Sequence, residues 1–234
     1  MSGKFNGYGK TFPKRANIGE RNSYLKEKVL GTRVAHLGCT DWPLLDLQIE
    51  NNNLLHSELL KQCSEVMGID IDSEGISHMQ SSFPGEIFIQ GDISTSSKAR
   101  DAVVGFEPDW ILVPDVIEHV ENGRDFLISL REILTKSNCG AIITTPNSTS
   151  LKTFLPLILG LDFTHVDHCL LHNEFTLVHA LEDAGLFVVD LSYFNRDITK
   201  RYGGFLQLIT SSLNLFCKVN PRFSDGLVVT VRAL

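Results

Sequence analysis

The chain has 234 residues, 43% of them hydrophobic and 21% charged, with a net charge of −7. That length suits one large α/β domain whose core needs neither disulfides nor structural metal. Its five cysteines (Cys39, Cys63, Cys139, Cys169 and Cys217) are odd in number and form no C-x-x-C pair, which argues against a disulfide framework or a zinc ribbon and suits a reducing cytoplasm.

The chain opens on a basic arm. Residues 1–33 hold eight Lys/Arg against two Glu, so the remainder carries −13. The arm lacks the apolar core of a signal peptide, and no run of about 18–20 uncharged apolar residues follows, so neither export nor a membrane span is expected. An acidic body argues against a broad nucleic-acid surface, although a basic arm can touch phosphates alone. Residues 1–32 are expected as a leader or lid helix, with Arg21 and Tyr24 in the lid, ahead of a single domain over 33–234.

Seven short apolar runs then predict strands: RVAHLG, EVMGIDI, EIFIQGD, DWILVPD, GAIITTP, LFVVDLSYF and LVVTVRAL. Helical segments lie between them, at NNLLHSELLKQC, SEGISHMQSS, TSSKARDAVVGF and ENGRDFLISLREILTK. In the last, Phe126, Leu130, Ile133 and Leu134 share one face while Arg124, Arg131 and Lys136 face water. Strands alternating with amphipathic helices predict βαβ units and a mostly parallel sheet covered on both faces. The alternation breaks at about residues 148–175, an insertion above the sheet whose FLPLILGLDF would make one greasy wall of a pocket. Between the last two strands the apolar stretch Phe205 to Phe216 predicts a mainly buried helix plus connection, with contact to a lipid or an apolar substrate tail as the alternative.

In an open α/β sheet, ligands bind beyond the carboxyl ends of the strands at the switch point beside the first strand. There the turn GCTDW follows β-strand residues, and Gly38 allows a ligand close to the backbone. Thr40 and Pro43 break a G-x-G-x-x-G pattern, which argues against a dinucleotide pyrophosphate site and hence against an NAD-dependent dehydrogenase. The second strand ends in Asp70, placed to accept both hydroxyl hydrogens of a ribose. The third offers Asp92 to an exocyclic amine and Ile93 to an adenine face. Ribose and adenine without pyrophosphate are what S-adenosylmethionine (SAM) presents.

The runs VAHLGCTD, VMGIDIDSEGI, IQGDIS, DWILVPDVIEHVENGRDFLISLREIL, GAIITTPN and FTLVHALEDAGLFVVDLSYF, over residues 33–194, resemble class I SAM-dependent methyltransferases. The branch they resemble includes ubiquinone-pathway O-methyltransferases and methyltransferases of glycan and natural-product pathways. The resemblance implies a Rossmann-like three-layer sandwich with seven strands, the last antiparallel. It implies cofactor contacts at Gly38, Cys39, Thr40, Asp70 and Ile71, and at Asp92, Ile93, Pro114 and Asp115. It also exposes departures: His36 stands where the family has Asp or Glu, and Thr40 and Trp42 replace glycines of its turn.

The fourth strand ends in PDVIEHV. A helical turn beginning at Asp115 would place Asp115, Glu118 and His119 on one face. The insertion adds THVDHCLLHN, with His165, His168 and His172 close together and Asp167 beside His168. Two readings stand side by side: a general base drawn from His119, His165 or His168, or a divalent cation such as Mg²⁺ or Mn²⁺ held by Asp115, Glu118, His119 and His168. DVIEHV followed by DH is similar to the metal-binding set of small-RNA 3′-end 2′-O-methyltransferases. The expected acceptor is a hydroxyl on a small molecule or sugar, free or lipid-linked, with nucleic acid disfavoured; an RNA 3′-end methyltransferase, a catalytically silent cofactor binder and a homodimer are left open.

Overall fold

The computed structural model describes residues 15–158, 160–162, 165–196 and 205–234. The seven expected strands are present as β1 (Arg33–Leu37), β2 (Glu65–Asp70), β3 (Ile87–Gln90), β4 (Trp110–Pro114), β5 (Gly140–Pro146), β6 (Leu186–Phe194) and β7 (Gly226–Ala233). They form one sheet in the order β3-β2-β1-β4-β5-β7-β6. Every neighbouring pair is parallel except those made by β7, which runs antiparallel to both β5 and β6. The order reverses between β1 and β4, so their carboxyl ends frame the crevice.

Helices cover both faces: α1 (Arg21–Lys28), α2 (Leu45–Glu50), α3 (Leu55–Leu60), α4 (Ser73–Ser82), α5 (Ser97–Phe106), α6 (Gly123–Ser137), α7 (Leu151–Ile158), α8 (Glu174–Asp183) and α9 (Phe205–Val219). Short polar side chains start several of them by accepting an otherwise orphaned amide. Asp72 accepts from the Gly75 N–H, Ser96 from Ala99 and Asn122 from Asp125. α6 buries Phe126, Leu130, Ile133 and Leu134 as its spacing predicts.

Alternation along β1 divides its side chains between the two layers. Ala35 and Leu37 join the main core with β4, β5 and α6, while Val34 joins a second cluster with Leu25, Leu55 and Leu59. That second cluster is where α1 and α3 bury their apolar faces. The described part of the arm is therefore docked, and the solvated leader is corrected over these residues. Ile18 N–H donates to the Tyr193 carbonyl (2.8 Å), Tyr193 N–H to Ala16 (2.9 Å), and Arg15 Nε to Glu174 Oε1 (2.9 Å). Arg21 is thereby carried to the open end of the sheet.

The expectation of a buried helix before β7 is corrected over residues 211–216; the side chains of residues 205–210 lie outside those described. Over residues 211–219 only Cys217 is buried, while Leu215, Phe216 and Val219 are exposed. α7 likewise has no buried residue, so the apolar stretch of the insertion lies on the surface. Among the described residues no helix is long and apolar enough to cross a membrane.

Candidate active site

The turn after β1 begins at Gly38, whose φ of +73° is a left-handed conformation that glycine adopts without penalty. A Cβ there would lie 2.4 Å from Val116 Cγ2, so the loops after β1 and β4 approach as closely as this glycine allows. Of the altered positions of the turn, Thr40 faces inward and Trp42 is exposed. Cys39 is buried, and Thr40 packs against the first turn of α4 at Gly75. Thr40 donates its N–H (3.1 Å) and its hydroxyl (2.9 Å) to Asp70 Oδ2. Both Thr40 donors, backbone and side chain, are therefore spent within the turn and not on the open side.

Asp70 accepts a third bond on Oδ1, from the Asp72 N–H (3.1 Å). A carboxylate has about four acceptor positions, so capacity remains on the open side for a hydroxyl. Asp92 takes Ser94 N–H (2.7 Å) and Ser94 Oγ–H (2.6 Å), the hydrogen bonding of a turn. Ile93 is corrected as an adenine-facing residue: it is 2% exposed and belongs to the main core. Ile71 is the exposed apolar side chain here, at 70%. Pro114 is buried as the last residue of β4.

His36 does not occupy the site as an acid would. Its Nδ1 lies 3.1 Å from Nδ1 of His56, the rings stack, and both are buried. One Nδ1 must carry the hydrogen and the other the lone pair, so both rings are neutral. Burial, then His56 and Arg21, depress His36 well below 6.5, and burial brings His56 down to about 4. The unfolded chain therefore takes up protons first, so this pair's contribution is full above pH 6.5 and is lost as pH falls toward about 4. Urea unfolding should show a loss of about 2–3 kcal/mol over that window that is absent from the double variant His36→Leu, His56→Leu. An equal pH slope in both proteins would contradict it.

No helical turn begins at Asp115. Its φ is +53°, and a single 3-10 turn follows at Ile117–His119, so the single-face arrangement of Asp115, Glu118 and His119 is corrected. The reversal is held by Thr144 on β5. Asp115 N–H donates to the Thr144 carbonyl (3.0 Å), and Thr144 Oγ–H donates to Asp115 Oδ1 (2.9 Å). Asp115 Oδ2 meets two guanidinium groups, from Arg21 and, at 2.5 Å, from Arg196. Burial works to raise this carboxyl, but Arg21 and Arg196 outweigh it and leave it lowered. Asp115 therefore belongs to an ion-pair cluster, and the metal set expected to include it loses that member.

Glu118 points inward, 1% exposed, and its Oε2 accepts from Thr145 Oγ (3.1 Å). Its Oε1 is buried with no partner. Burial and then the charge of Asp115 push this carboxyl up to about 8. Two backbone bonds pin the insertion to the 3-10 turn: Cys169 N–H (2.8 Å) and Leu170 N–H (3.1 Å) both donate to the Glu118 carbonyl. This clasp brings His168 to 4.8 Å and His165 to 6.1 Å from His119, centroid to centroid. His119 Nδ1 lies 3.2 Å from the Asp167 carbonyl, and a hydrogen bond there leaves Nε2 with the lone pair. Burial, then His119 and His165, lower the His168 pKa, so this ring is neutral at neutral pH.

His172 does not join the others. Its backbone bridges to Asn147 and its ring is buried without a hydrogen-bond partner. Ligand atoms of Glu118, His119 and His168 lie within 4.8 Å of one another. Sequence reasoning gave no roles to Thr144, Thr145 or Arg196; the paired threonines that end β5 were the available signal for the first two.

No family model and no curated protein matches the sequence. Solved structures do. The chain is similar to a TehB-like SAM-dependent methyltransferase from Corynebacterium glutamicum, at 15% identity and a TM-score of 0.54, over 93% of this chain and 89% of that one. It is similar to the small RNA methyltransferase HEN1 at 16% identity and a TM-score of 0.56, over 91% of this chain and 24% of that one. The N-methyltransferase NodS from Bradyrhizobium japonicum, in complex with S-adenosyl-L-homocysteine, matches at 12% identity and a TM-score of 0.50, over 91% of this chain and 85% of that one. These likenesses establish the fold that SAM-dependent methyltransferases share; the chemistry has to be argued from the site.

Proposed function

We propose that this chain is a SAM-dependent methyltransferase that methylates a hydroxyl of a small molecule or sugar. One observation carries the reading: at the β1/β4 switch point a carboxylate with spare acceptor capacity, Asp70, shares the open end of the sheet with the imidazoles of His119, His165 and His168. Asp70 would hold the ribose of SAM and Ile71 would pack on the adenine, while Gly38 lets the loops after β1 and β4 close on each other. SAM supplies a methyl group on a sulfonium, and the displacement is accelerated chiefly by alignment, which is worth about 7–11 kcal/mol when well achieved. His168, neutral and at the mouth, takes the proton that the hydroxyl gives up.

A second reading is favoured by the orphaned Oε1 of Glu118. A buried carboxylate with one unpartnered oxygen, whose ligand atom lies within 4.8 Å of those of two imidazoles, is a donor set suited to a divalent cation such as Mn²⁺ or Mg²⁺. Glu118, His119 and His168 would hold it, Asp167 would orient His119 through its carbonyl, and the ion would lower the pKa of the acceptor hydroxyl. His165 then remains as the free imidazole. A 2′-O-methyltransferase acting on RNA ends would need a basic acceptor surface, and the −13 carried beyond residue 33 argues against one.

Incubating the protein with methyl-labelled SAM and a panel of hydroxylated acceptors, with and without Mn²⁺, tests both readings. O-methylated product is expected. Products methylated only on nitrogen would refute the O-specific part, and turnover insensitive to chelation would refute the cation.

A further inference from the structure

Arg21 and Arg196 reach the site from neighbouring segments, the first from the start of α1 and the second from just beyond β6, where Asn195 N–H donates to the Gly19 carbonyl (2.9 Å). Both end on Oδ2 of Asp115. Two guanidinium groups therefore share one carboxylate. Asp225 is spent on Lys152 Nζ (2.7 Å) and on the Arg196 backbone N–H (2.7 Å). Two guanidinium groups thus converge at the candidate active site of a chain whose net charge is −7.

The Arg196 side chain is 48% exposed, its charge is felt by His168, and among the described residues only its Nη2 is bonded to Asp115. The Nε and Nη1 donors remain for an incoming oxyanion, and a planar fork of this kind matches carboxylate or phosphate oxygens. Asp115 shows the clamp already holding such a group.

We propose that Arg196, with Arg21 behind it, is the receptor for a carboxylate or phosphate group on the acceptor, so that the methylated hydroxyl belongs to an acidic molecule. The word acceptor rests on the methyl-transfer reading; the anion subsite does not.

The test therefore reads binding rather than turnover. Inorganic phosphate and acetate are titrated separately, at constant ionic strength set with chloride, into the full-length protein with and without saturating S-adenosylhomocysteine. The backbone amides of Asp115 and Arg196 are followed by NMR. Saturable shifts are expected in the millimolar range, weakened at least about tenfold in Arg196→Gln and less in Arg196→Lys, whose unfolding midpoints check the fold. Saturation by acetate alone or phosphate alone identifies which anion the subsite takes.

No saturable shift, or equal binding by Arg196→Gln, overturns the proposal. Binding that disappears once S-adenosylhomocysteine is added also overturns it, because the clamp would then serve the cofactor's own carboxylate. Binding that depends on Arg196 in a protein that methylates no hydroxyl upholds the subsite and counts against the O-methylation reading alone.

Discussion

Replacing Asp70 by Ala should weaken the binding of SAM by at least about 10-fold, because a hydrogen bond to a charged group contributes about 1.5–3 kcal/mol and the carboxylate has room for one more from the ribose. The position is prepared for that load. Thr40 and the Asp72 amide fix the carboxylate with three donated bonds, so it loses little freedom when a ligand arrives. Asp70→Asn should fall between wild type and Ala, since an amide keeps one acceptor oxygen and has lost the charge. Equilibrium dialysis with labelled SAM reads the effect, with thermal unfolding as a check that the Thr40 turn survives. An affinity within about threefold of wild type would remove Asp70 from the site.

The second large effect belongs to His168. As the base that accepts the hydroxyl proton, it should cost about 10²–10⁴-fold in turnover when replaced by Ala, with SAM binding much less affected. Its lowered pKa sets the direction of the pH profile: a base must be neutral to act, so the acid limb of kcat should lie below the usual 6.5. The cation reading predicts a different profile. Glu118 has to be ionised to ligate, and with its carboxyl pushed up to about 8, Mn²⁺ affinity should rise with pH until about that value and then level off. Glu118→Gln would abolish that rise. Turnover unchanged in His168→Ala would contradict both readings.

The sheet was legible because its signals are local and mutually consistent. Each strand is a short apolar run closed by a turn residue, and SEGISHMQSS coincides with α4 from its first residue to its last. Asp70 was legible because a carboxylate at the end of β2 has the same neighbours in any sheet of this kind. What the sequence hid depends on contacts distant along the chain. The reversal at Asp115 is imposed by Thr144, 29 residues away. Which isoleucine faces outward, Ile71 or Ile93, depends on how the loops after β2 and β3 fold, and hydrophobicity alone does not distinguish them. His168 and His172 look equivalent in THVDHCLLHN, yet the clasp on the Glu118 carbonyl turns one toward His119 while pairing with Asn147 and Ser148 holds the other away. Arg196 offered no signal at all, since its role exists only once Asp115 and Arg21 meet it. α7 and α9 are apolar as helices of a core would be, yet among the described residues α7 buries none and α9 buries only Cys217.

The central claim is that the open end of this sheet binds a SAM-type nucleoside despite the lost glycines of its first turn. Calorimetric titration of the wild-type protein with S-adenosylhomocysteine tests it most directly. Saturable binding at one site per chain, with no comparable binding of NAD, is the result predicted here. Absence of binding by S-adenosylhomocysteine, or NAD binding as tightly, would contradict the account.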